Sequence, residues 1–256
     1  MNIVKDSLGD RMKRYEIAAR TSLPPRMPVI LRVDGKAFHS YTRGLRRPFD
    51  VAFMRAMDAV ALKLCEEIQG AQLAYVQSDE VSVLVHSYKR HATSAWFDSQ
   101  VQKMVSVAGA TASSKMVMES LKIFGHHKEC AFDARVFVLP ESEVCNYFLW
   151  RQNDAVRNSI QMLARSLYSH KECHNKNTSE LQEMTFQKGK NWNDLPIGQR
   201  RGRVVKRLGE PYSLKLPNGA MAVGRGLVES WQVDAEPPIF TADRGYIEQH
   251  LPVEEE

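Results

Sequence analysis

Leu73 to Val85 reads LAYVQSDEVSVLV, two β-prone apolar runs around Ser78-Asp79-Glu80. No other stretch constrains the fold as strongly. Burying both runs makes a tight hairpin and carries two adjacent carboxylates to its tip. Short hairpins ordinarily turn on Asn-Gly or Asp-Gly, because those residues accept positive φ. Two negative charges at a tip therefore need a reason beyond turning the chain. A partner lies upstream: Pro28 leads into Val29-Ile30-Leu31-Arg32-Val33, a buried-strand pattern, with Asp34-Gly35 at its carboxyl end.

The flanking patterns supply the rest of a fold. Leu8 to Ser22 reads as a helix carrying Arg11, Lys13, Arg14 and Arg20. Phe53, Met57, Val60, Ala61, Leu64 and Ile68 recur at helical spacing between an Asp50 N-cap and Gly70. A second helix is expected from Thr93 or Ser94 to Glu119, and a strand over Arg135 to Leu139, closed by Pro140. The order strand, helix, hairpin, helix, strand predicts an α+β sandwich with helices on one face of an antiparallel sheet. Beyond Pro140 the pattern is mainly helical, with one long helix over Tyr147 to His170 and a Ser179-x-x-Gln182 capping box for another. Lys188 to Arg207 is basic, with seven Lys or Arg and one Asp, and Glu254-Glu255-Glu256 forms an acidic, frayed end.

A length of 256 residues, 43% of them hydrophobic, fits one large domain or a domain with an appendage. The net charge of +5 points to an anionic partner, nucleic acid or nucleotide, or else to a plainly solvated basic surface, and charge alone does not choose between them. Cys65, Cys130, Cys145 and Cys173 are far apart and form no CxxC pair. Met1 to Arg14 is mixed and charged, unlike a signal peptide, and no apolar run approaches the ~20 residues needed to span a bilayer. These features predict a cytoplasmic protein with free thiols and no membrane partner.

Asp34 ends one strand and Asp79 tops the hairpin, so neighbouring strands project both carboxylates from one sheet edge. Their repulsion is relieved by hard divalent cations; Mg²⁺ takes one or two carboxylates plus substrate phosphates. Two such ions ~3.5–4 Å apart stabilise the attacking and leaving oxygens of a phosphoryl displacement. The competing reading is a solvated turn. Gly35 permits close approach of the backbone to a phosphate or metal, and Lys36 with successive amides suits a triphosphate. Phe38 suits stacking on a base, or the core, and His39 suits donation to a phosphate oxygen. The absence of GxxxxGK[ST] excludes a P-loop, and no GxSxG supports a serine nucleophile. His126, His127, Cys130, Cys173 and His174 raise a zinc site, but their spacing matches no standard template. The basic stretch, interrupted by Trp192, fits phosphate contacts plus stacking, or else a solvated loop.

Six motifs then occur in order: Leu8-Gly-Asp-Arg-Met-Lys13, Val33-Asp-Gly-Lys-Ala-Phe-His39, Gln77-Ser-Asp-Glu80, Phe132-Asp-Ala-Arg135, Trp150-Arg-Gln-Asn-Asp154 and Asp194-Leu-Pro196. Through them the chain resembles the tRNA-histidine guanylyltransferases. It is still more similar to their bacterial and archaeal relatives, the guanylyltransferase-like 3′–5′ polymerases that repair tRNA 5′ ends. The resemblance implies a polymerase-type palm over residues 1–140. A mainly helical region over 141–256 would pack on it and carry the RNA-binding segment.

It also implies that Asp34, Asp79 and the Gly35 carbonyl hold two Mg²⁺ ions. Lys36, Ala37, Phe38 and His39 would wrap an incoming nucleoside triphosphate, with Ser78 assisting. Lys103 matches a family lysine near the activating nucleotide's phosphates. Arg47 and Asp50 stand in Arg-Pro-Phe-Asp where the family usually has Lys-Pro-Asn-Asp. Glu80 joins Asp34 and Asp79 as a candidate catalytic carboxylate, either orienting a water or cation or only favouring the turn. Arg151, Lys188, Lys190, Arg200, Arg201 and Arg203 are the candidate RNA contacts.

Where the eukaryotic branch carries His-Ile-Asn-Asn, this chain has Val156-Arg157-Asn158-Ser159. That departure favours templated repair over dedicated guanylate addition to histidine tRNA. The implied substrates are tRNA, ATP, GTP and other nucleoside triphosphates, and the implied assembly is a homotetramer. A tRNA-His-specific guanylyltransferase, a palm-type nucleotide cyclase and an inactive RNA-binding protein are the alternatives.

Overall fold

Apolar side chains on both sides of the central strands dictate a sheet covered on two faces. The computed structural model describes residues 7–89, 92–215 and 221–252, with backbone alone over 210–215 and 221–229; the Glu254–Glu256 tail lies outside the described residues. In chain order the elements are α1 (Leu8–Ala18), β1 (Val29–Gly35), α2 (Phe38–Tyr41), α3 (Val51–Glu67), β2 (Ala71–Gln77), β3 (Glu80–Val85) and α4 (Val101–Phe124). They continue with β4 (Phe132–Val138), α5 (Glu141–Leu167), α6 (His170–Cys173), α7 (Thr178–Gln187), α8 (Ile197–Arg201), β5 (Arg203–Lys215), β6 (Met221–Asp234) and α9 (Gly245–Glu248).

The strands form one antiparallel sheet in the order β4-β1-β3-β2-β5-β6. Leu31, Val33, Val81 and Val83 alternate onto the face covered by α3 and α4, where they meet Met57, Val60, Leu64, Met104 and Ala112. Ile30, Leu73, Tyr75 and Leu84 point the other way, into Val144 and Phe148 of α5 and into Phe240 and Ile247. Each fully buried side chain of this size contributes about 1.5–3 kcal/mol. So α3 and α4 cover one face of the sheet as expected, and α5 from the helical region closes the other.

Helix ends follow local chemistry. The Asp50 carboxylate accepts from the Phe53 amide at 2.9 Å and starts α3 where the sequence predicts it. The second helix begins at Val101 rather than Thr93, because Phe97 and Asp98 take left-handed φ values of 51° and 50° in a tight turn before it. The capping box falls on Asn177 and Glu180, two residues ahead of the Ser179 expectation. Extended backbone at Asn177 lets its side chain accept from the Glu180 amide at 3.0 Å while Glu180 accepts in return at 2.9 Å.

One expectation needs correcting. Beyond Pro140 the pattern reads as mainly helical, yet β5 and β6 are the two longest strands, and β5 completes the sheet against β2 from Leu73↔Lys206 to Val76↔Arg203. Gly209, Pro211 and interspersed charges erase the period-2 alternation there. Past Lys206 the two strands pair, among the described residues, only with each other and continue as a ribbon.

Candidate active site

The hairpin turns on two residues, Ser78 and Asp79, between Gln77 and its cross-strand partner Glu80. Ser78 takes the positive φ, 47°, that a two-residue turn requires. The turn is tied to the end of β1: the Gly35 amide donates to the Asp79 carbonyl at 3.0 Å, and the Lys36 amide donates to the Ala131 carbonyl at 2.9 Å. Asp34 sits opposite Glu80 on one side and Asp133 on the other. Three strands and a turn thus bring Asp34, Asp79, Glu80 and Asp133 to one edge.

Electrostatics at this edge ask for a cation. Burial, then the neighbouring Asp133 carboxylate, raises the Asp34 pKa, while Arg32, Arg135 and Arg151 pull it down. Burial likewise raises Asp79; its neighbours Asp34 and Glu80 add to the shift, and the Ser78 hydroxyl opposes it. A bound cation reverses these costs. Among the described residues no three His, Cys, Asp or Glu side chains converge as a complete metal cage. Two carboxylates and a backbone carbonyl are hard oxygen donors, which would suit Mg²⁺ rather than the nitrogen and sulfur donors of a zinc site. The His126, His127, Cys130, Cys173 and His174 set is not assembled: Cys130 contacts the Ser113 carbonyl at 3.8 Å and His127 the Val117 carbonyl at 3.1 Å.

Glu80 is engaged. Arg151 Nε and Nη2 each donate to it at 2.8 Å, Ser82 Oγ donates at 3.3 Å, and Arg32 stands 3.8 Å away. Tyr147 closes the group through its hydroxyl, 2.8 Å from Ser82 Oγ. Arg151 is itself buried and also holds Asp154 at 2.8 Å. Its assignment as an RNA contact is therefore corrected: its fork clamps Glu80 beneath the site. The sequence quotes Arg151 and Asp154 within Trp150–Asp154, and their i, i+3 spacing on a helix was the available signal.

The loop after β1 divides by burial. Lys36 and His39 are exposed, Ala37 has a φ of 56°, and Phe38 is buried. The Phe38 ring stacks on Tyr41 at 4.6 Å and lies 4.9 Å from Phe132, which commits it to the core. A Cβ on Gly35 would come within 2.4 Å of that ring, so Gly35 is required by packing. Ala37, His39, Ser78 and Asp79 wall one side of a cleft of about 480 Å³. Asn158, Gln161, Met162 and Arg165 of α5 wall the other. A smaller cavity of about 70 Å³ shares Phe53, Ser78, Asn158 and Met162 with it and adds Phe49, Asp50 and Gln77. The buried Gln77 Oε1 has no hydrogen-bond partner.

Comparison with known proteins gives this arrangement its family. Residues 9–140 match the tRNAHis guanylyltransferase (Thg1) family. The chain belongs to that family, whose members are nucleotidyltransferases. A bacterial tRNA(His) guanylyltransferase-like protein in complex with ATP superposes with a TM-score of 0.84 at 40% identity, over 95% of this chain and 98% of that one. The corresponding complex with GTP gives 0.80 at 41%, over 96% and 99%. The probable tRNA(His) guanylyltransferase of Drosophila melanogaster is 30% identical over 203 residues, 73% of this chain and 69% of the relative.

Of the other sequence candidates in this family member, Lys103 lies apart from the cleft. Lys103 is on the first turn of α4, next to Met104, which lines a cavity with Val29 and Val85. That is the end of β1 opposite Asp34, roughly 17 Å away at ~3.4 Å per residue, so one chain does not bring Lys103 to the carboxylates. Arg47 is exposed, and Asp50 is occupied as a cap, accepting also from the Arg46 amide at 3.2 Å.

The basic stretch is dispersed by folding. Arg203 is buried against Asp58 and donates to the Gly198 and Met54 carbonyls, which corrects its assignment as an RNA contact. Arg200 lies half-buried 5.4 Å from the Trp192 ring, and Arg201 is half-buried. Trp192 is no free stacking platform, since it packs beside Ile160 and Leu181 and donates to Ser159 Oγ at 2.9 Å. Lys188 and Lys190 remain exposed.

Proposed function

We propose that this chain adds nucleotides in the 3′–5′ direction to the 5′ end of truncated tRNA, under the direction of the opposite strand. The observation that carries the reading is Asp34 and Asp79 sharing one sheet edge, with Asp79 and Gly35 lining a cleft walled by α5. Asp34, Asp79 and the Gly35 carbonyl would hold two Mg²⁺ ions. When bound, such ions neutralise charge developing on phosphoryl oxygens.

The chain's own residues orient the reactants. Lys36, His39 and the Ser78 hydroxyl receive a triphosphate. The 70 Å³ cavity, lined by Phe49, Asp50, Phe53, Met162 and Gln77, whose buried Oε1 has no partner, suits the flat face and amino edge of a nucleobase. Glu80, fixed by Arg151, supports the turn that presents Asp79. In the activation step a 5′-monophosphate oxygen attacks the ATP α-phosphorus and pyrophosphate leaves. In the addition step the 3′-hydroxyl of a nucleotide attacks the activated 5′ phosphate and AMP leaves; from a 5′-triphosphate end, pyrophosphate leaves instead. Positioning and charge neutralisation dominate such transfers.

Exposed Lys188 and Lys190 are the RNA contacts retained from the basic stretch. We assign the protein to the cytoplasm: Cys65, Cys130, Cys145 and Cys173 are all free thiols, and no helix among the described residues is long and apolar enough to cross a membrane. A homotetramer is the assembly proposed. It is supported by α1, which buries none of its residues and exposes Leu8, Met12, Tyr15 and Ile17. Lys103 then acts only at a neighbouring subunit's site.

Relatives named for tRNA(His) favour a second reading, addition of one guanylate to histidine tRNA. Extension of labelled 5′-truncated tRNAs with each nucleotide offered separately, with and without ATP, separates the two. Template-matched addition of all four nucleotides is expected. Guanylate alone, on histidine tRNA alone, would establish the second reading instead.

A further inference from the structure

The catalytic cleft does not stop at the end of its α5 wall. Gln161 and Arg165 also line a second cavity, of about 180 Å³, whose remaining polar wall comes from His170, His174, Asn175 and Lys176. The imidazoles of His170 and His174 stack with centroids 6.1 Å apart. The two carboxylates at this corner are occupied. Glu172 accepts from the Ser169 amide and hydroxyl, and Glu180 accepts from the Asn177 amide and pairs with Lys176 at 3.2 Å. Arg165 is exposed and makes no hydrogen bond or ion pair among the described residues. Lys188 lies 5.5 Å from the Tyr168 ring that leads into α6.

Asn158, Gln161 and Arg165 follow i, i+3, i+7 spacing, so they form one stripe running from the cleft into this cavity. Seven residues of helix span about 10 Å. At ~3.4 Å per charge along one strand, that is about three phosphate steps. A guanidinium fork with imidazole N–H donors beside it matches a phosphodiester, which accepts two parallel hydrogen bonds and needs no further cation.

We propose that this cavity binds a backbone phosphate of the RNA strand whose 5′ end occupies the catalytic cleft, an inference that rests on the RNA-substrate reading above. The cavity then sets how far the strand penetrates, so that its terminal phosphate meets Asp34 and Asp79.

The test compares full-length wild type, Arg165→Ala and Arg165→Ala/His174→Asn. Affinity for a labelled 5′-truncated tRNA is measured by anisotropy across a salt series, and affinity for ATP with Mg²⁺ by calorimetry. The double variant is expected to bind tRNA about tenfold more weakly, with the slope of log affinity against log salt reduced by about one unit. ATP affinity is expected to fall less than tRNA affinity, because Arg165 also walls the catalytic cleft. Unchanged tRNA affinity and slope would overturn the proposal. A loss of ATP affinity with tRNA binding intact would also overturn it, by giving the cavity to a triphosphate. If the double variant melts early, Arg165→Ala alone decides by the same two readouts. Wild-type extension run alongside judges the proposed function separately, because the binding comparison needs no turnover.

Discussion

The hairpin tip and the Lys188–Arg207 segment are both charge-rich in sequence, and folding treats them in opposite ways. At the tip, Asp34, Asp79 and Asp133 are distant in sequence and converge at one sheet edge through strand register. In the basic segment, neighbours in sequence are sent apart. Arg203 goes under the sheet to Asp58, Lys206 pairs with Asp234 at 2.9 Å, Arg200 lies against Trp192, and Lys188 and Lys190 stay in solvent. The difference lies in what fixes side-chain direction. Backbone pairing holds the carboxylates at strand ends, whereas a short helix followed by a strand turns successive cations toward different surroundings. A linear cluster of charge is weak evidence for a binding face; charged residues at adjoining strand ends are stronger evidence for a site.

The sharpest way to break this contrast is at the tip. Asp34→Asn is expected to lower nucleotide addition on the order of 10³-fold, the scale of losing a key electrostatic group. It should not lower the melting temperature, because it removes repulsion from a crowded edge. A variant that melts early and adds nucleotides at the wild-type rate would make Asp34 a structural residue.

Next comes the clamp below. Arg151→Ala leaves Glu80 buried without its bidentate partner, and the unfolding free energy should fall by about 3–5 kcal/mol. A loss under about 1 kcal/mol in urea titration would mean that the pair behaves as a screened surface bridge.

Gly35→Ala ranks third. Its Cβ would press on the Phe38 ring, and overpacking of this kind costs about 1–3 kcal/mol, readable as a lower urea midpoint at unchanged slope. An unchanged midpoint would show that the ring moves aside freely.

The smallest effects belong to the exposed lysines. Lys188→Ala with Lys190→Ala should change stability by no more than about 0.5 kcal/mol. If both lysines meet phosphate, the salt slope of tRNA binding should fall by about 0.7–0.9 per contact. Arg203→Ala should do the reverse, losing stability with the slope unchanged. A common response from all three would erase the contrast between buried and solvent-facing cations.

Much of the palm was legible in the sequence because its signals are local. The β1 run, the Asp50 cap, the α3 periodicity and the hairpin each declare themselves within a few residues. The β5–β6 ribbon did not, because glycine, proline and charges mask its alternation. The Glu80–Arg151 clamp joins residues 71 apart, and only folding brings them to 2.8 Å. Phe38 was open between base and core; the rings of Tyr41 and Phe132 around it decide for the core. Asp133 went unassigned within Phe132–Arg135, since a lone carboxylate on an edge strand carries no signal until its register with Asp34 is known.

The most direct test of the central claim sets catalysis against binding at the turn itself. Asp79→Asn and wild type would be compared for single-turnover nucleotide addition to a 5′-truncated tRNA and, in parallel, for tRNA affinity. The expected result is addition reduced to background with affinity within about threefold of wild type, since a group acting on the transferring phosphoryl contributes little to RNA binding. Addition at the wild-type rate would contradict the assignment of the Asp34–Asp79 edge as the catalytic centre.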